Sequence, residues 1–256
     1  MRWKLLSWNV NGIRAAEKKG FPDWLSRCGG DIVAVQETKA RPEQLSEALV
    51  RPAGYYADWN SAEKKGYSGV ATYSKQQPLK VTTGLGDPRF DSEGRVLISE
   101  FESFVFMNIY FPNGGRGPEW VAHKLAFYRR FLDVAQGYMR AGRPVVATGD
   151  FNTAYAEIDL ARPKENAKHS GFMPEERVEL GKLFEAGLID TFRYLHPNLV
   201  KYSWWDMVTR ARERNVGWRL DYFIVSADLK DHIVEAGIHD DVPGSDHCPV
   251  SLRLDF

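Results

Sequence analysis

Pro144-Val145-Val146-Ala147-Thr148-Gly149-Asp150-Phe151-Asn152 is a short apolar run that breaks at a glycine and then presents a carboxylate and a carboxamide two residues apart. A Val-rich run of this kind makes a buried strand. Side chains alternate along a strand, so Asp150 and Asn152 project to one side if extension continues through them. A carboxylate that only accepts, beside an amide that also donates, can hold a water or a metal ion against an anionic substrate. Alone, Gly-Asp-x-Asn is also an ordinary turn leaving a strand, because Gly, Asp and Asn are the commonest turn residues. Recurrence decides between the two.

The pattern recurs. Strand-like runs end in Ser7-Trp8-Asn9-Val10-Asn11-Gly12, in Val35-Gln36-Glu37-Thr38-Lys39 and in Asn108-Ile109-Tyr110-Phe111-Pro112-Asn113. Later come Arg219-Leu220-Asp221-Tyr222 and Gly244-Ser245-Asp246-His247. Asn9, Asn11, Glu37, Asp150, Asn152, Asp221, Asp246 and His247 form an oxygen-rich set with one imidazole and no thiolate. Hard oxygen ligands at low count suit Mg²⁺ or Mn²⁺ rather than zinc. Each residue also has an ordinary structural use, as turn former, cap or surface acid. Their repetition at strand ends points to a site built from loops at one edge of a layered scaffold.

Around these motifs the chain alternates short β-like runs with a few helices. Strands are predicted over Trp3–Val10, Asp31–Gln36, Tyr55–Trp59, Gly69–Ser74, Leu79–Thr83, Arg219–Ser226 and His247–Leu254. Arg95–Phe101 and Phe104–Tyr110 read as a hairpin. Helices are predicted over Pro22–Arg27, Glu119–Arg140 and Pro174–Ala186, the last opening on Pro and followed by Gly187. In Glu119–Arg140 the residues Val121, Leu125, Tyr128, Leu132, Ala135 and Met139 recur in steps of four and three, an apolar stripe for a core. No repeat, low-complexity tract or linker interrupts the chain, so one domain over residues 1–256 is expected. Many strands with interspersed helices suggest sheets packed face to face and covered by helices.

Composition limits the function classes. With 43% hydrophobic residues and eight Trp in 256, the chain can bury a substantial core. Thirty-four basic residues balance thirty-four acidic ones, so bulk attraction to nucleic acid is not available and any anion site must be built locally. Cys28 and Cys248 have neither metal-ligand nor disulfide-framework spacing and read as two buried thiols. No apolar run approaches the ~20 residues that cross a bilayer. Met1–Leu6 is too short in its apolar part for a signal peptide. A soluble, cytoplasmic protein without a membrane partner is expected, and nothing requires more than a monomer.

Together, Trp8-Asn9-Val10-Asn11-Gly12, Gln36-Glu37-Thr38-Lys39, Lys65-Gly66-Tyr67-Ser68-Gly69, Tyr110-Phe111-Pro112-Asn113, Gly149-Asp150-Phe151-Asn152, the segment Asn215–Tyr222 and Gly244-Ser245-Asp246-His247-Cys248-Pro249 resemble the ordered signatures of the exonuclease III-type apurinic/apyrimidinic endonucleases. They span nearly the whole chain. Gly-Asp-x-Asn and Ser-Asp-His occur throughout the wider endonuclease/exonuclease/phosphatase superfamily, which includes DNase I and inositol-phosphate phosphatases. Asn215–Tyr222, and Ile158-Asp159-Leu160 followed by Pro163-Lys164, are more particular to the abasic-site enzymes.

The resemblance implies a DNase I-like, four-layered α/β sandwich of two packed, mainly antiparallel sheets flanked by helices. It implies a Mg²⁺-dependent DNA-repair phosphodiesterase, with Mn²⁺ as substitute, that cuts duplex DNA 5′ to abasic sites and has 3′-phosphodiesterase and 3′→5′ exonuclease side activity. Glu37 matches the principal metal ligand, with Asn11 nearby and Asp246 as a supporting or alternative ligand. Many relatives carry Asp where this chain has Asn11, so the site holds one negative charge fewer. Asp221 and His247 match the acid–imidazole pair, and Asp150 the residue that orients or deprotonates the attacking water. Either Asp150 or His247 can be the base. Asn9, Asn152 and Tyr110 match groups that hold the water and the phosphate oxygens. Trp204, Trp218 and Leu220 match an apolar pocket for an extruded sugar without a base, while Trp205 reads as core. Arg14, Lys39, Tyr67, Arg116 and Asn166 match positions at the DNA backbone, or for Arg116 inside the helix. His169 falls where relatives often carry Asn. The competing readings are a same-fold phosphatase acting on inositol phosphates or lipids, a non-specific nuclease, and a DNA-binding module without catalysis.

Overall fold

The computed structural model describes all residues, 1–256. Strands β1 (Arg2–Asn9), β2 (Ile32–Gln36), β3 (Tyr56–Asn60) and β4 (Val70–Ser74) enter one sheet. The next five, β5 (Lys80–Thr83), β6 (Val96–Glu100), β7 (Val105–Tyr110), β8 (Val145–Asp150) and β9 (Leu188–Asp190), enter a second. A two-stranded ribbon of β10 (Trp204–Trp205) and β11 (Gly217–Trp218) precedes β12 (Asp221–Ser226), which joins the second sheet. β13 (Ile233–Ile238) and β14 (Val250–Asp255) return to the first. The two six-stranded orders are β13-β14-β1-β2-β4-β3 and β5-β6-β7-β8-β12-β9.

Each large sheet has one parallel pair at its centre, β1 with β2 and β7 with β8, between antiparallel neighbours. Parallel neighbours end at the same edge. Asn9 and Gln36 therefore finish side by side in one sheet, and Tyr110 and Asp150 in the other. The alternation of side chains makes the four layers. On β1, Trp3 and Leu5 face the second sheet, whereas Leu6 and Trp8 face outward onto the helix Phe21–Arg27. On the second sheet, Val146, Phe223 and Val225 point into the inter-sheet core, and Val145, Ala147 and Ile224 pack under the helices Pro118–Arg140 and Pro174–Glu185. The expected four-layered sandwich is the observed one.

Along the inter-sheet layer the packing grades from aromatic to polar. Trp3, Phe101 and Phe104 make edge-on contacts at one end. Toward the ends of the parallel pairs the same inward positions hold Ser7, Gln36, Asn108 and Thr148, all buried. Gln36 Nε2 donates to Ser7 Oγ and Asn108 Oδ1, and Asn108 Nδ2 donates to the Ala71 carbonyl, whereas Gln36 Oε1 has no partner. One register step further come Asn9, Asp150 and Asp221.

The predicted helices and strands are all present within a few residues. The buried face of Pro118–Arg140 is rotated from the expected stripe: its centre runs through Lys124, Phe127, Tyr128, Phe131 and Ala135, while Val121, Leu125, Leu132 and Met139 are half-buried. A buried lysine breaks an apolar pattern, which displaced the expected stripe. His247 lies ahead of β14 rather than within it. β9, β13 and the ribbon were not predicted; they are short or carry Glu and Gly, and form by pairing with distant strands. Cys248 is buried as expected, but Cys28 is only half-buried. No helix is long and apolar enough to cross a membrane.

Candidate active site

Asp150, the last residue of β8, stands directly opposite Asp221, the first of β12. Two buried carboxylates across a ladder repel each other unless a cation lies between them. His247 supplies it: its Nδ1 is 2.8 Å from Asp221 Oδ2, and its Nε2 is 3.7 Å from Asp150 Oδ2. Ser203 Oγ donates to the same Asp221 oxygen at 2.6 Å and accepts the N–H groups of Leu220 and Asp221. Trp8 Nε1 donates to the His247 carbonyl at 3.1 Å, fixing the segment that carries the imidazole.

Extension does not continue through Asn152, contrary to the strand-based expectation. Its backbone is left-handed, with φ 50°. Asp150 and Asn152 still meet, through a turn in which Asp150 Oδ1 accepts the Asn152 N–H at 2.8 Å and Oδ2 faces Asn152 Nδ2 at 3.3 Å. Asn9 Nδ2, from the other sheet, donates to Asp150 Oδ2 at 2.9 Å. Gly149 is required here: with φ 141°, an added Cβ would lie 1.8 Å from the Ile109 carbonyl oxygen.

Burial sets the charges of this group. It pushes the Asp150 carboxyl up to about 7; His247 opposes that shift and Asp221 reinforces it. Burial alone would lower the His247 pKa, but the facing carboxylates of Asp221, Asp150 and Asp246 outweigh it and raise the pKa to about 10. The imidazole is therefore a cation at neutral pH. Burial also keeps the Tyr110 phenol protonated well above its usual range, with the charge of Glu37 adding to the effect. Arg95 lies 4.7 Å from the Tyr110 ring and donates to its carbonyl.

Asp150, Asn152 and Tyr110 open on one cavity of about 320 Å³ that Glu37, Asn11 and Asp246 also line, with His247 and Asp221 behind Asp150. Its other half is an aromatic slot. Trp204 and Trp218 meet edge-on at 6.4 Å, with Leu220 beside them and Gly171 opposite. A Cβ on Gly171 would come within 3.2 Å of Trp218, so the glycine keeps the slot open. Trp205 is core, as expected, its indole N–H on Asn215 Oδ1.

Two oxygen sets could hold a metal. Asp150, Asp221 and His247 have donor atoms within 4.8 Å of one another. That set is already paired internally, however, and a protonated imidazole is not a ligand. The other set is the one expected from the sequence. Asn11 Oδ1 and Glu37 Oε1 converge on the Lys39 ammonium at 2.6 and 2.9 Å, so this spot already attracts a cation. Asp246 adjoins it: its Oδ1 accepts Asn11 Nδ2 and its Oδ2 accepts the Trp204 indole N–H. Those donors and His247 hold the Asp246 pKa below the carboxylate range, although burial acts the other way.

Of the further expected residues, Arg14 and Lys39 line an adjoining groove with Gly66. Tyr67 accepts from Arg95 Nη2 at 2.8 Å, and the exposed Arg116 lies 4.9 Å from the Trp120 ring. Asn166 departs from expectation: its amide donates to the Arg162 and Ala161 carbonyls, and His169 lines the cavity instead. In the basic stretch Thr209–Arg214, Arg212 and Arg214 are tied to backbone carbonyls, and Arg210 and Arg212 line a second cavity next to the first. Ser203 and Asn113 were not assigned roles from sequence. Asn113 Nδ2 donates to Asn152 Oδ1 and stood in a quoted motif; Ser203 had no signal, because only the fold brings it to Asp221.

Comparison with known proteins gives a consistent result. A model of the endonuclease/exonuclease/phosphatase family matches residues 6–247. An exodeoxyribonuclease from Bacillus subtilis is 45% identical over 255 residues, covering 99% of this chain and all of that protein. The DNA repair nuclease APEX1 of Danio rerio is 42% identical, across 98% of this chain and 82% of its own. Among solved structures, an AP endonuclease from Archaeoglobus fulgidus superimposes with a TM-score of 0.90 at 29% identity, over 99% of this chain and 100% of that one.

Proposed function

Because the chain belongs to the endonuclease/exonuclease/phosphatase family, we propose that it is a DNA-repair phosphodiesterase that cuts duplex DNA on the 5′ side of an abasic site, with 3′-phosphodiesterase and 3′→5′ exonuclease side activities. One observation carries this reading: a single cavity joins Asp150, backed by His247 and Asp221, to an aromatic slot walled by Trp204, Trp218 and Leu220. The slot suits a deoxyribose that has lost its base, and extruding such a sugar costs little because its stacking is already gone.

Asp150, with a pKa near 7, takes a proton from water as the water oxygen attacks phosphorus. Asn9 and Asn152 hold that carboxylate in place through the bonds described above. The His247 cation, anchored by Asp221 and Ser203, donates from Nε2 to a non-bridging oxygen as negative charge builds there. The Tyr110 phenol, kept protonated, is a second donor. The P–O3′ bond breaks and the leaving O3′ takes a proton from solvent, giving a 3′-hydroxyl and a 5′-phosphate on the abasic sugar. This assigns the base to Asp150 and electrostatic stabilisation to His247. Glu37, Asn11 and Asp246 would hold Mg²⁺, with Mn²⁺ as substitute. When bound, the ion neutralises phosphoryl charge and stabilises the leaving oxygen.

Arg14 and Lys39 line the adjoining groove and Arg116 lies 5.9 Å from the Tyr67 ring; these four would contact the duplex without reading its sequence. Neither sheet alone holds the site, since Asn9 and Glu37 come from one and Asp150 and Asp221 from the other; residues 1–256 thus act as one domain and a monomer suffices. The substrate places the protein where DNA is, which in a cell without a nucleus is the cytoplasm. The test is Mg²⁺-dependent nicking of a duplex oligonucleotide carrying one tetrahydrofuran residue. Equal cutting of intact duplex, or cleavage of a phosphoinositide but not of the oligonucleotide, would refute the assignment.

A further inference from the structure

Behind the cavity lies an ion pair that takes no part in the chemistry above. Lys124, from the inward face of Pro118–Arg140, and Glu176, from Pro174–Glu185, are both fully buried and meet at 2.8 Å. A buried pair of this kind gives little or no stability over apolar side chains of the same volume. Its contacts reach both halves of the site. Lys124 Nζ also donates to the Asn152 carbonyl at 2.6 Å. Asn152 is the left-handed residue whose N–H holds Asp150. Glu176 Oε2 accepts the N–H groups of Gly171 and Met173, and its Oε1 accepts Ser170 Oγ at 2.7 Å. Ser170 and Gly171 form the slot wall opposite Trp218. The pair thus ties the loop carrying the water-activating carboxylate to the wall of the slot, adding to the one direct backbone bond between them, from the Ala154 N–H to the Gly171 carbonyl at 2.8 Å.

We propose that Lys124 and Glu176 are positioning residues for the reaction: together they fix the separation between Asp150 and the slot, so that a sugar seated in the slot places its phosphorus at the attacking water. This rests on the function proposed above. A displacement of about 1 Å in such an arrangement costs about 10²-fold in rate.

Two variants test it. Lys124→Met/Glu176→Leu replaces the pair with apolar side chains, and Glu176→Gln keeps the shape without the charge. Each is measured for single-turnover cleavage of the tetrahydrofuran duplex, for the Kd of that duplex without metal, and for its melting temperature. The expected result is Kd within about threefold of wild type, cleavage slower by about 10²-fold, and a double variant that melts below wild type, because the Gly171 and Met173 N–H groups and the Asn152 carbonyl lose their partners. Cleavage within about threefold of wild type in a folded variant, or a loss confined to Kd, overturns the positioning role. Should the double variant not fold, Glu176→Gln decides by the same criterion at low temperature. A wild-type protein that leaves the duplex whole overturns the functional reading instead, which separates the two failures.

Discussion

Asp221→Asn is the substitution that most directly tests the charge assignment. In the wild type, Asp221 Oδ2 lies 2.8 Å from His247 Nδ1, and together with Asp150 and Asp246 it holds the imidazole pKa near 10. Removing one charge about 4 Å from the imidazolium centre costs about 4 kcal/mol at an effective dielectric near 20, a factor of about 10³ in protonation. The His247 pKa should then fall from about 10 to about 7. Asp150 should also ionise more easily, because Asp221 contributes to raising its pKa. With Asp150 as base and His247 as cation, wild-type cleavage rises through pH 7 and stays level to beyond pH 9. The opposite protonation would populate only about one molecule in 10³, given pKa values near 7 and 10. In Asp221→Asn the basic limb should move down to about pH 7, and the maximal rate should fall by about 10² or more. The assay is single-turnover nicking of the tetrahydrofuran duplex from pH 5 to 9.5 at saturating Mg²⁺, so that product release does not mask chemistry. A variant whose rate stays level above pH 8, as in the wild type, would refute the view that His247 acts as a cation held by Asp221.

Three other outcomes follow from the geometry. The folded pKa of Asp150 stands above the ordinary 3.8, so the folded state keeps a proton that the unfolded chain releases, and stability falls as pH rises from about 4 to about 7. Asp150→Asn should therefore melt no lower than wild type at pH 8, gaining on the order of 1–2 kcal/mol, while losing at least about 10² in rate; a clearly lower melting temperature at pH 8 would contradict this. Glu37→Gln should weaken Mn²⁺ binding, read by electron paramagnetic resonance, by about tenfold or more without changing the fold; unchanged binding would shift the ion to Asp150, Asp221 and His247. Phe111 packs against Tyr128 at 4.3 Å, Phe151 at 4.4 Å and Phe127 at 5.1 Å, so Phe111→Ala should cost about 3–5 kcal/mol in urea unfolding. A loss below about 1 kcal/mol would mean that this cluster repacks around the vacancy.

Much of this molecule was legible in one dimension. Apolar runs such as Val145–Thr148 and Val105–Tyr110 specify strands because a short continuous apolar run, buried on both faces, is a local feature, and the polar residues at strand ends named the oxygen-rich half of the cavity lining. What the sequence could not supply was mutual position. That Asp150 faces Asp221 depends on the register of β8 against β12, and that Asn9 reaches Asp150 depends on the stacking of two sheets; the partners are 71 and 141 residues apart in the chain. Charge state follows the same division. A carboxyl with a pKa near 7 and an imidazole with one near 10 arise from burial and neighbours, which exist only after folding. Lys124 shows the limit most clearly: in sequence it is a polar break in an apolar stripe, and in the fold it is the cation behind Asn152. Sequence determined which chemical groups were available and at which strand ends they stood, because both are local. Tertiary structure alone decided which groups meet and in what charge state, because desolvation and Coulomb energy depend on distances between remote parts of the chain.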